Sequence, residues 1–163
     1  AQHQASGAGK SSTHDSEDNK TRSIEWILDT GTGVDVSGEV LQGKCIPDSN
    51  LPELDTAAGI YQPNSKTAID IDTIGTAEVI QLPAGAPSAL AIGKRCAVQG
   101  YEFWWKPYAE VPIVRNPDGT YLDVRADNYV PYVIAAHSEV GLQRSLKAMM
   151  TGNTSLDLSL IHI

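Results

Sequence analysis

Glu25-Trp26-Ile27-Leu28-Asp29-Thr30-Gly31-Thr32-Gly33 is an apolar run that stops on an acid, a hydroxyl residue and a glycine. Trp26, Ile27 and Leu28 read as a buried strand. Asp29 is the last residue that the strand delivers. Burying a carboxylate there is costly unless it is hydrogen-bonded or shares a proton. Thr30 adds a hydroxyl, and Gly31 and Gly33 let another chain approach the backbone closely. From this stretch alone two readings stand open. One is a reactive carboxylate at a strand end, the other a strand followed by a turn that Asp29 organises.

Working outward, 163 residues suffice for one domain with tails. Twelve basic against 20 acidic residues give a net charge of -8, which argues against a general nucleic-acid-binding surface. No apolar run is long enough to cross a bilayer, and the first residues lack signal-peptide character. Cys45 and Cys96 match no metal spacing and read as reduced thiols. His3, His14, His137 and His162 fall in or near the tails with no ligand spacing, so no metal or other cofactor is expected. His137 and His162 read as surface residues.

Residues 1–22 contain no large apolar residue and read as a flexible arm. Short apolar runs bounded by glycine and proline then predict a mainly β domain over 23–134. Strands are expected at Ser23–Leu28, from Val34, over Thr67–Ile74 and Ala77–Leu82, at Leu90–Ile92 and over Tyr101–Trp105. Leu54–Tyr61 suits the tip of a hairpin. Lys94–Gln99 fits a short helix capped by Gly100. Val111–Val114 and Tyr121–Val124 around Asn116-Pro117-Asp118-Gly119 read as a hairpin, followed by a strand at Tyr129–Ile134. Residues 135–163 read as a C-terminal extension, helical over His137–Met150, with a possible terminal strand at Leu156–Ile163.

Three segments in order resemble the retropepsin-like aspartic proteases. They are Leu28-Asp29-Thr30-Gly31, then Thr56-Ala57-Ala58-Gly59, then Ala91-Ile92-Gly93-Lys94-Arg95 leading to Gly100-Tyr101-Glu102-Phe103. Trp26–Gly31 and Gly100–Phe103 are most similar to the protease region of copia-type LTR retrotransposon polyproteins. The likeness covers residues 23–105 and weakens towards 134. Thr32 departs from the small or acidic residue usual after Asp-Thr-Gly. The resemblance implies a closed β-barrel of the acid protease fold and an aspartic endopeptidase acting on a retroelement polyprotein. It also implies a cytoplasmic setting within retroelement particles. By resemblance Asp29, Thr30 and Gly31 form the catalytic loop. Thr56, Ala57, Ala58 and Gly59 form the flap, and Leu28, Ile92 and Gly93 support the loop from beneath.

Peptide hydrolysis by this route needs two carboxylates on one water, sharing a proton because both cannot ionise easily at short range. The chain carries a single Asp-Thr-Gly, so a homodimer must supply Asp29 twice. The partners expected are a second copy and a peptide or polyprotein substrate, with neither nucleic acid nor membrane. The alternative is a non-catalytic β-barrel binding or dimerisation domain, such as an inactive domesticated retropepsin.

Overall fold

The computed structural model describes residues 22–141 together with Met149. The arm before Arg22, the helix expected beyond residue 141 and the strand expected at Leu156–Ile163 lie outside the described residues. In chain order the strands are β1 (Ser23–Asp29), β2 (Asp35–Ser37), β3 (Lys44–Pro47), β4 (Leu54–Thr56), β5 (Gly59–Tyr61), β6 (Ser65–Ile71), β7 (Gly75–Gln81) and β8 (Ser88–Ala91). Helix α1 (Ile92–Gln99) follows, then β9 (Glu102–Trp104), β10 (Ile113–Arg115), β11 (Arg125–Asp127) and β12 (Val130–Glu139). The described chain is therefore mainly β, as its composition predicts.

β1 alternates in burial, with Ile24, Trp26 and Leu28 turned into the core. This is the period-two pattern of a strand with one buried face. β12 runs antiparallel to one edge of β1, with Trp26 opposite Val133. β8 runs parallel along the other edge, with Asp29 opposite Ala91. β2 then joins β8 to β7, β7 pairs with β6, and β6 returns to β12 through His137 opposite Ile71. The pairings close a ring of six strands, with β3 and β11 as outlying neighbours. Inside the ring lie Trp26, Leu28, Ile69, Ile71, Val79, Leu90 and Ile92. A buried hydroxyl pair, Ser37 to Ser88 at 2.7 Å, bridges β2 and β8.

Two small sheets flank the ring. β4 and β5 form one hairpin, and β9 pairs with β10 in a ribbon whose Phe103 and Val114 face the core. Tyr101 anchors this ribbon: its hydroxyl donates to the Ile74 carbonyl at 2.6 Å, and Asn116 Nδ2 donates to the Thr73 carbonyl at 2.9 Å.

Four expectations are corrected. The last strand runs on to Glu139, past the Ile134 end expected for it, and residues 137–139 are strand rather than helix. Pairing with β6 outweighs the helical spacing of the apolar residues there. His137 is buried instead of lying on the surface. The segment after Asp118 makes one bridge, Arg115 to Tyr121, and β10 takes β9 as its strand partner. α1 begins at Ile92, so that residue and Gly93 open the helix and do not end the strand before it. Strands β3 and β11 are short and carry no alternation strong enough to read.

Candidate functional site

Asp29 ends β1, half-buried, where the strand leaves the core. Its Oδ1 accepts the Gly31 N–H at 2.7 Å. A Cβ on Gly31 would stand 3.2 Å from that oxygen, so glycine permits this close turn. Neither Gly31 nor Gly33 has a left-handed φ; what Gly31 supplies is clearance. Thr30 is exposed and its side chain makes no hydrogen bond among the described residues.

Beneath the loop, the parallel pairing of β1 with β8 brings the start of α1 alongside it. A Cβ on Gly93 would lie 3.6 Å from the Thr30 carbonyl oxygen, an ordinary contact. Gly93 does lie against the loop, but space does not require a glycine there. Leu28 and Ile92 are buried in the core below.

Above the loop, the β4–β5 hairpin turns through Ala57 and Ala58. Thr56 Oγ1 donates to the Gly59 carbonyl at 2.7 Å and accepts the Ala58 N–H at 3.3 Å. Gly59 takes φ 113, a conformation that favours glycine. Asp29 and the hairpin tip share one cleft of about 550 Å³. Thr56, Ala57 and Ala58 line it from the hairpin, and Val36, Leu82, Pro83 and Ala89 supply an apolar wall. Gly59, Thr30 and Gly31 are not part of the lining; Gly59 sets the turn from the outer strand. The cleft therefore gathers Asp29 and three of the four expected hairpin residues.

Sequence reading missed two features. The loop 82–87 forms one side of the cleft, and its Pro-Ala-Gly-Ala-Pro composition signals only a turn. The second is an ion pair. Asp35 Oδ2 meets Arg95 Nη2 at 2.7 Å, while Asp35 Oδ1 accepts the Ala91 N–H at 2.8 Å. Both side chains are largely buried, at 13% and 4% exposure for Asp35 and Arg95. Arg95 also lies 5.6 Å from the Tyr101 ring centroid. Asp35 thus clamps the segment after the Asp29 loop to the β8–α1 corner.

A second groove, about 370 Å³, runs beside this clamp. Its Asp35 pairs with Arg95 and its Lys66 with Glu78, so these charges are already answered. The hydrogen bond to Glu78 holds the Lys66 ammonium above its ordinary value. Burial raises the Cys96 thiol, partly offset by a backbone hydrogen bond from Phe103, which leaves it a poor nucleophile. Cys45 and Cys96 are both free thiols. Among the described residues no group of three or more His, Cys, Asp or Glu is placed to hold a metal ion, and no helix is long and apolar enough to cross a membrane.

Comparison of the chain with protein-family models, with curated proteins and with solved structures finds no match.

Proposed function

We propose that the chain is a retropepsin-type aspartic endopeptidase that acts as a homodimer on peptide segments of a polyprotein, with Asp29 of each copy supplying one carboxylate. The observation that carries this reading is the shared cleft: Asp29 and the Thr56–Ala58 hairpin tip face one space of about 550 Å³. That volume lies within the range of sites that enclose several residues' worth of ligand. A reactive carboxylate under a hairpin that can close is what water-excluding peptide hydrolysis needs.

The chemistry follows from two like charges at one site. The pair holds a single proton. One Asp29 takes a proton from the water as it attacks the scissile carbonyl, and the other donates to the carbonyl oxygen. The pair titrates as a unit. The Gly31 N–H orients Asp29 through Oδ1, and the Asp35–Arg95 clamp keeps the following segment in place. Such a reaction belongs inside the particle of a retroelement, in the cytoplasm, where the polyprotein is processed.

The test is cleavage of a peptide library from pH 4 to 7 by the wild type and by Asp29→Asn. The substitution keeps the shape and removes the ionisable group. Cleavage by the wild type alone, blocked by a statine-type inhibitor, is the expected outcome. Equal cleavage by both, or dependence on added zinc, would remove the peptidase reading. Dimerisation without any cleavage would favour a purely structural domain.

A further inference from the structure

The β11–β12 hairpin turns on Asn128 and Tyr129, which have φ 48 and φ 66. Both positions of such a two-residue turn need positive φ, and Asn-Gly is the favoured pair. Asparagine suits the first position. Tyrosine at the second carries a steric penalty that glycine would not. Among the described residues Tyr129 makes no hydrogen bond or ring contact, and it is 89% exposed. Val130 beside it is 44% exposed.

The tip lies at the same end of the β1–β12 pair as Asp29. β1 and β12 are antiparallel and pair as far as Ile27 opposite Tyr132. Continued by two residues past the end of that pairing, the register would set Asp29 level with Val130. Neighbouring strands lie about 4.8 Å apart. On that continuation Tyr129 falls about one strand spacing and one residue from Asp29. It lies on the side away from β8, which flanks Asp29 through Ala91.

We propose that Tyr129 and Val130 are the contact through which a second copy of this chain is seated across the two-fold axis joining the Asp29 loops. The proposal rests on the peptidase reading, because that reading requires the axis. Two carboxylates that share a proton stand only about 3 Å apart, so the axis passes close to each of them. A tip one strand away then falls inside any isologous contact that joins the loops. A large aromatic ring held outward by a fixed turn suits the centre of an interface, where tyrosine is enriched and its two side-chain torsions lose little freedom.

The experiment is sedimentation equilibrium over a dilution series, with peptide cleavage measured at the same concentrations. It uses the full 163-residue chain as wild type, Tyr129→Gly and Tyr129→Asn. Glycine and asparagine both suit the left-handed turn, so the monomer keeps its fold, with a far-ultraviolet circular dichroism spectrum matching that of the wild type. The expected result is at least a tenfold rise in the dimer dissociation constant. Cleavage should fall at low protein concentration and recover on concentrating. A dissociation constant within twofold of the wild type overturns the assignment of Tyr129 while leaving the peptidase reading intact. So does a rise in KM alone, which would place the ring on the substrate. A dimer weakened by both variants that never cleaves peptide keeps the Tyr129 contact and removes the peptidase reading. A wild type that stays monomeric at every concentration removes both.

Discussion

His137 sits in β12 at 4% exposure, and its Nε2 accepts the Gln42 N–H at 3.0 Å. In the neutral ring the proton is therefore on Nδ1, which has no partner among the described residues. Burial holds the imidazole below its ordinary value of 6.5. The unfolded chain then binds this proton more tightly than the folded one. Its contribution to stability is complete above about pH 6.5 and is lost as the pH falls through that value towards the lower, folded one. The slope cannot exceed about 1.4 kcal/mol per pH unit for one proton. Thermal melts at pH 7.5, 6.5 and 5.5 should show the midpoint dropping with acid. His137→Gln should be less stable at pH 7.5 yet show a shallower drop. An equal slope in the variant would place the titrating group elsewhere.

Among the elements, the corner formed by β1, β2, β8 and the start of α1 carries the site. Asp35 opens β2 and binds both the Ala91 N–H and Arg95, so one side chain joins three elements. Taking away one member of a buried pair strands the other's charge, at a cost of about 3–5 kcal/mol. Asp35→Ala should lower chemical-denaturation stability on that scale. Lys66→Ala, which breaks an exposed pair with Glu78, should cost much less, because solvent screens that pair. Similar losses for the two variants would show that the clamp is not buried in solution. The hairpin above the cleft is a separate unit. Among the described residues β4 and β5 pair only with one another, so no strand ladder ties the hairpin to the ring.

For the whole molecule the decisive quantity is the assembly state. If the proposed dimeric peptidase is right, the single Asp-Thr-Gly makes its activity second order in protein until the dimer saturates. Cleavage per chain should fall on dilution below the dissociation constant. Excess Asp29→Asn mixed with wild type should suppress the remaining activity by forming heterodimers with one competent carboxylate. A rate linear in protein down to the lowest concentration would exclude a shared dyad. Stable association needs about 1,200 Å² of buried surface in total. The Asp29 loops alone are too small for that, and the exposed Tyr129, Val130 and Ile134 of the β12 region offer more.

The sequence alone determined the local elements that period-two burial and turn chemistry dictate. β1 with its inward Trp26 and Leu28, the hairpin around Ala57-Ala58 and the Gly100 cap of α1 were all legible, because each depends on near neighbours in the chain. It also put Asp29 at a strand end and made it the first candidate. The tertiary structure decided what long-range pairing controls. Strand β12 runs to Glu139 because β6 is there to pair with it, which no spacing within residues 130–141 encodes. His137 is buried for the same reason. Asp35 meets Arg95 across sixty residues of sequence, and loop 82–87 becomes a cleft wall only once β7 and β8 take their places on either side of β2. Apolar alternation records which face of a strand is buried but not which strand lies beside it, and the cleft at Asp29 is made by those neighbours.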